Sequence, residues 1–174
     1  MRAFAAVAPP MDDLVLPVDD RLRWVPREQW HVTLAFYGEV DDTKAAALAD
    51  RLGRAAARSR PFRIRVAGAA TFPRQSQKAR VLWLGLDGEI EEMRRLADRC
   101  AGAGRRARIA MEDRAFRPHL TLGRARRDPV DATDIVAALS SYEGPWWTVP
   151  SIRLVRSYPG PQPRHETLRE FPLG

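Results

Sequence analysis

The stretch WHVTLAFYGEV, residues 30–40, holds a His-x-Thr-Leu core that returns as HLTL at 119–122 and, altered, as HETL at 165–168. All three histidines of this 174-residue chain sit in such tetrapeptides, although the chain has only seven threonines. On an extended strand, side chains alternate between faces, and residues two apart point the same way about 6 to 7 Å from each other. His31, Thr33, Ala35 and Tyr37 therefore fall on one face, and Val32, Leu34 and Phe36 on the other. In the second copy His119, Thr121 and Gly123 oppose Leu120 and Leu122. Each strand offers an apolar face to a core, and an imidazole with a hydroxyl to the other side.

The surroundings of the first two copies also match. After His31 come the acidic turn Asp41-Asp42, a segment with Ala46, Ala49, Leu52 and Ala56 at helical spacing, and the run RPFRIRVAGAATF. After His119 come RRDPVD, the helical ATDIVAALSSY and GPWWTVPSIRLVRS. These are two copies of one supersecondary unit, and a pseudo-two-fold axis between them would bring both His-x-Thr pairs to a shared cleft. The third tetrapeptide lacks that support. It sets Glu166, Leu168 and Glu170 against His165, Thr167, Arg169 and Phe171, so neither face is apolar, and no helix comes after it. His165 is assigned to a terminal strand.

Outward from these motifs, strands are expected at 2–8, 22–25, 31–37, 62–70, 81–86, 119–124, 146–155 and 168–171, and helices at 43–58, 89–101 and 132–141. Asp41 and Asp42 precede the first helix, and Asp131 with Asp134 marks the start of the last. GAGRR at 102–106 reads as a turn. Strands and helices interleave without a regular βαβ rhythm, so the class is α+β. The length suits one domain over residues 1–174 with no linker. No apolar run approaches the roughly 18 residues of a membrane span. The N-terminal apolar run breaks at Pro9-Pro10 before Asp12-Asp13, which fits a first strand better than a signal peptide. A single cysteine, Cys100, in a helical stretch reads as a buried structural thiol in a reducing, cytoplasmic setting.

The net charge of +7 and pI near 10.6 suit a polyanionic partner. Charge alone does not decide it, because Lys44 and Lys78 are the only lysines and an Arg-, Ala-, Gly- and Pro-rich chain is also what a GC-rich genome encodes. The histidines say more. An imidazole near its ordinary ionisation range can accept or donate a proton around neutrality, and a threonine hydroxyl can hold a non-bridging phosphate oxygen. Two facing pairs would supply a base, an acid and two clamps for in-line displacement at phosphorus, with no metal or other cofactor required. The chain has no His-Glu-x-x-His metal spacing, no Gly-x-Ser-x-Gly elbow and no phosphate loop.

HVTL and HLTL, with the flanks RAFAAVAPP, LRWVPREQWHVTLAFYGEV, ARVLWLGL, FRPHLTLGRAR and FPLG, resemble the RNA 2′,3′-cyclic phosphodiesterases, also called 2′-5′ RNA ligases, of the two-histidine phosphoesterase superfamily. The resemblance covers nearly the whole chain. It implies a bilobal fold, two pseudo-symmetric antiparallel-sheet-plus-helix lobes around a central cleft, and hydrolysis of RNA 2′,3′-cyclic phosphate ends to 2′-phosphates. It also implies His31 as the acid protonating the leaving 3′ oxygen, His119 as the base activating water, Thr33 and Thr121 on the phosphate oxygens, and Arg124 beside them. Strand parity puts Arg124 opposite His119, so it reaches the phosphate only if a bulge at Gly123 turns the strand. Otherwise it is one solvated cation of the run Arg124, Arg126, Arg127. An RNA 5′-hydroxyl in place of water would give ATP-independent 2′-5′ ligation.

The implied partner is RNA with cyclic phosphate ends, tRNA fragments among the candidates, met by a monomer with no membrane association. The alternatives are a phosphoesterase for a small cyclic nucleotide or ADP-ribose cyclic phosphate, and a non-catalytic RNA-binding protein of the same fold. One departure from the family is PPMDDLVLPVDDR, where a longer helical segment is usual and Pro10 and Pro17 discourage a helix. Trp24, Trp30, Tyr37, Trp83, Trp146 and Trp147 are candidates for base stacking or for core.

Overall fold

A computed structural model describes residues 1–11 and 13–174. The elements are β1 (Arg2–Val7), β2 (Leu22–Trp24), β3 (Val32–Glu39), α1 (Asp42–Ala57), β4 (Arg63–Phe72), β5 (Val81–Gly88), α2 (Ile90–Arg106), β6 (Leu120–Ala125), α3 (Thr133–Leu139), β7 (Trp147–Thr148), β8 (Ser151–Tyr158) and β9 (Arg164–Pro172). The two His-x-Thr strands, β3 and β6, are neighbours in one nine-stranded sheet ordered β7-β4-β5-β6-β3-β1-β8-β9, with β2 also paired to β6. The strand pairings are antiparallel, as the α+β class requires.

The join between the halves of the sheet is narrow. β3 and β6 meet through the single pair Val32 and Leu120, both fully buried. On one side lie β3, β1, β8 and β9, and on the other β6, β5, β4 and β7. The repeat seen in the sequence runs across this join: β3 leads through α1 to β4 in the far half, and β6 leads through α3 to β7 and then to β8 in the first half. Each half is therefore built from segments of both copies, and the Val32–Leu120 pair marks the pseudo-two-fold axis. A continuous core, including Val32, Leu34, Leu48, Leu52, Leu82, Leu84, Leu96, Leu120 and Leu122, runs through both. Burying a leucine in such a core contributes about 1.5 to 3 kcal/mol, which favours keeping both apolar faces on one side of the sheet.

The helix caps agree with the sequence in part. Asp41 is the N-cap of α1, its Oδ1 accepting the Lys44 N–H at 2.8 Å. At α3 the N-cap position is Ala132, and Asp131 Oδ1 instead accepts from the N–H and hydroxyl of Thr133 at 3.1 and 2.6 Å. Most strands differ from expectation by one to four residues at an end, and the strand expected at 146–155 is two, β7 and β8, parted at Val149-Pro150. Helix α3 is shorter at both ends. Strand β9 starts at Arg164 and so takes His165 into the sheet. Helix α2 runs on to Arg106, so residues 102–106 are helical and not a turn. The last correction has a packing cause. The ring of Tyr37 lies on α2, its hydroxyl donating to the Cys100 carbonyl at 3.0 Å, and a Cβ at position 104 would stand 2.6 Å from the Met111 sulfur and 2.9 Å from that ring. Gly104 is there for close approach, and the surrounding contacts outweigh its weak helix propensity.

The segment between β1 and β2 has no helix among its described residues. Met11 and Leu14 are buried and the Arg27 guanidinium donates to both of their carbonyls, whereas Val15 and Val18 are open to solvent. Asp12, named above with Asp13, lies outside the described residues.

Candidate active site

His31 and His119 each stand immediately before the first residue of their strand. In both, the ring Nδ1 lies 2.7 Å from the carbonyl two residues back, that of Gln29 or of Arg117. A carbonyl only accepts, so Nδ1 carries the hydrogen, and in the neutral ring Nε2 is left as the proton acceptor. Nε2 of His31 lies 3.0 Å from the Thr33 hydroxyl, which donates to it. The antiparallel pair Val32–Leu120 sets His31 across from Thr121 and Thr33 across from His119. Thr33 and His119 line one cleft of about 750 Å³, walled further by Phe36, Phe72, Phe116 and Arg117.

The strand faces are not those of an unbroken alternation. In β6, Thr121 pairs with Trp83 and Gly123 with Leu82, so Leu122 is an extra residue. In β3, Thr33 pairs with Ala6 and Ala35 with Ala5, so Leu34 is extra in the same place. A bulge adds one residue and reverses the facing of the side chains after it, up to the next bulge, which in β3 is at Tyr37, between the pairs Phe4–Phe36 and Ala3–Gly38. The sequence expectation for Tyr37 and Phe36 is thereby overturned: Tyr37 is 3 % exposed against α2, while Phe36 is 46 % exposed at the cleft. In β6 the same reversal releases Arg124 from the face opposite His119, and its charge acts on His31. The bulge is held by β2, whose continuation, the Val25 N–H, donates to the Leu122 carbonyl at 2.7 Å, and by Trp24, which would stand 3.1 Å from a Cβ at Gly123.

The charged groups that act on His31 are of one sign, although Asp98 and Glu112 also line the cleft. Burial chiefly, and then the cations of His165, His119 and Arg124, push the ionisation of His31 down to about 4 against the Gln29 carbonyl. Burial and the adjacent Arg23 also disfavour the charge of Arg124, and among the described residues neither arginine is in an ion pair. An anion placed among these groups would relieve that repulsion.

His165 lies in the terminal strand, β9, as expected, but beside His31, which the sequence did not show. Its ring lies 5.3 Å from that of His31 and 5.1 Å from Phe4, which itself stacks on His31 at 4.8 Å. Its tetrapeptide was the only sequence signal for this, and the pairing that brings β9 beside β8 and β8 beside β1 is not readable from local pattern. His119 instead lies beside Phe72 and Trp83, at 5.2 and 5.8 Å. Of the other aromatic candidates Trp30 and Tyr37 are core, and Trp146 is exposed with Arg63 and Arg65 over its ring.

Among known proteins, the chain is similar to RNA 2′,3′-cyclic phosphodiesterases of Aeropyrum pernix, 34% identical over 86% of this chain and 85% of that protein, and of Archaeoglobus fulgidus, 34% identical over 84% and 81%. A relative of the same name from Geobacillus stearothermophilus is 33% identical over 86% of this chain but 47% of its own, so the chain spans about half of that protein's length. Among solved structures, TT0787 of Thermus thermophilus superposes with a TM-score of 0.77 at 26% identity, covering 99% of this chain and 98% of that one. E. coli LigT complexed with 3′-AMP superposes with a TM-score of 0.72 at 25% identity, covering 99% and 97%. These neighbours share the bilobal two-histidine phosphoesterase fold. The model of the 2′-5′ RNA ligase superfamily matches residues 6–161, and the chain belongs to that superfamily.

Proposed function

We propose that the protein hydrolyses RNA 2′,3′-cyclic phosphate ends to 2′-phosphomonoesters by acid–base catalysis between His31 and His119. The observation that carries this reading is the antiparallel Val32–Leu120 pair, which sets two imidazoles of identical tautomer across from each other's threonines. The names of the relatives support the substrate class. All the groups come from one chain, which supports a monomer acting as one bilobal unit over residues 1–174.

The phosphate sits among Thr33, Thr121 and Arg124. His119 Nε2 takes a proton from water as its oxygen bonds to phosphorus, and the bond from phosphorus to the 3′ oxygen breaks as His31 gives that oxygen a proton. The 2′ ester bond survives, so the product is a 2′-phosphate. The free site holds His31 neutral, and the substrate's negative charge offsets the neighbouring cations and restores the acidic form. An RNA 5′-hydroxyl in the place of water, followed by the same transfers, forms a 2′-5′ linkage, and the reverse sequence cleaves it.

The test is hydrolysis of an oligonucleotide ending in a 2′,3′-cyclic phosphate, in EDTA, across about pH 5 to 9. A 2′-phosphate product and a bell-shaped profile are expected. No hydrolysis of this end by the wild-type protein overturns the reading. Faster turnover of a mononucleoside 2′,3′-cyclic phosphate than of the oligonucleotide would move the substrate to the small-molecule class.

A further inference from the structure

Both ring nitrogens of His31 are committed, Nδ1 to the Gln29 carbonyl and Nε2 to the Thr33 hydroxyl, and Phe4 covers one ring face. A second ring, that of His165, stands at 74° to the His31 plane. The sheet places it there: Phe4 pairs with Val155, Val155 with Thr167, and His165 stands two residues before Thr167 on the same face. The Gln29 side chain donates to the Pro163 carbonyl at 3.1 Å, which ties the turn before β9 to the segment that carries His31. The rings beside His119 among the described residues are Phe72 and Trp83, which do not titrate.

We propose that His165 is a positioning residue for this reaction: its imidazole, set edge-on beside the Phe4–His31 stack, fixes the plane of the His31 ring and confines the acidic form of His31 to the anion-bound protein. The inference rests on the proposed two-histidine reaction. Two imidazolium rings with centroids 5.3 Å apart repel each other, so the free site does not readily hold both charges. The other charged groups around the pair are Glu28 from the segment before β3 and Arg153 from β8, which share with His31, His165 and Thr167 a small cavity of about 50 Å³, and His119 and Arg124 from β6. Arg153 is paired with Glu170 at 3.1 Å, and Glu28 is exposed. The cations therefore prevail, and burial lowers the ionisation of His165 as well. A bound phosphate reverses the balance for both rings.

The experiment is a pH titration of ¹³C-labelled histidine by NMR on wild type, His165→Phe and His165→Ala, with and without inorganic phosphate as the probe, alongside kcat and KM profiles. In the free protein both variants should raise the His31 ionisation, by less than burial lowers it. Phosphate should raise it in the wild type by more than in either variant. His165→Ala should lower kcat about tenfold with KM little changed, since a ring displaced from its working geometry loses rate rather than affinity. His165→Phe, which keeps a ring in place, should recover most of that loss. A His31 titration and a kcat profile that superimpose on wild type in both variants overturn the proposal and leave His165 as a sheet residue. Because the titration needs no turnover, an inactive wild type overturns the proposed reaction, whereas an unmoved His31 overturns the role of His165.

Discussion

The half of the site around His31 and the half around His119 have the same backbone and different cover. Both imidazoles lean on the carbonyl two residues back at 2.7 Å, and both strands bulge at the leucine after the threonine. Beyond that they diverge. Five residues on, one copy has Phe36 and the other Arg124. His31 is closed in by Phe4 and by His165 from the β8–β9 hairpin, whereas His119 opens onto the cleft beneath α2 and the loop after it. The connections differ too: β5 leads into the 17-residue α2, while β1 leads into a segment with no described helix. The repeat supplies the geometry, and in the proposed reaction the departures from it supply a direction, since an acid and a base must differ in environment to do different work.

The comparison breaks most directly at the imidazoles. His31→Ala and His119→Ala should each lower kcat by about 10²- to 10⁴-fold, and each should abolish a different limb of the pH–rate profile. Loss of the same limb in both variants would mean that the halves are interchangeable. The arginine is the next difference. Arg124→Ala should cost about 10- to 100-fold in kcat/KM, as expected for one charge-assisted contact to an anion. The double variant Phe36→Arg with Arg124→Phe, which moves the cation to the pseudo-symmetric place, should not restore it. Recovery to near wild type would show that the cleft has no direction.

How much of this could be read in advance depends on the range of the interaction. The α+β class, the echo of His31 and His119 and the capping role of Asp41 come from patterns a few residues long, and the structure has them. Arg124 and Tyr37 do not, because bulges at Leu122 in β6 and at Leu34 and Tyr37 in β3 shift the facing of the residues beside them, and only pairing with β5 or β1 makes the bulges visible. Gly123 signalled the first bulge as a place where a neighbouring backbone comes close; Leu34 gave no signal. The helical run through Gly102 and Gly104 was hidden for the same kind of reason: Gly104 packs against Met111 and against the ring of Tyr37, 67 positions before it. His165 lies furthest from local reading, since three successive strand pairings bring it to His31.

The unequal burial of the two histidines has a thermodynamic counterpart. The folded protein takes up a proton on His31 only near pH 4, while an unfolded chain takes it up near 6.5. Between those values the unfolded state binds more protons, so stability is full above about pH 6.5 and falls as pH drops toward 4, by at most about 1.4 kcal/mol per unit. His165, lowered less, adds to the same slope. The paired carboxylates Asp19, Glu89 and Asp131, held below their ordinary range by their partners, act in the more acidic window. Urea unfolding of wild type and His31→Gln at pH 7, 6 and 5 should therefore show the wild type losing more than the variant, and parallel losses would place His31 in a solvated setting.

The smallest effect separates the two halves at their helices. In α1 the carboxylate of Asp41 takes an N–H of the first turn directly, whereas at α3 Asp131 spends its oxygen on both the hydroxyl and the N–H of Thr133, outside an N-cap position held by Ala132. Replacing Asp41 by alanine leaves one helix donor to water and should cost about 1 kcal/mol of unfolding free energy. Replacing Asp131 by alanine should cost less, because Thr133 can turn its own hydroxyl to solvent. Chemical denaturation of the two variants orders them. Equal costs would mean that the capping difference is one of geometry without energy, and that the two copies, unlike at the cleft, have stayed equivalent on their outer faces.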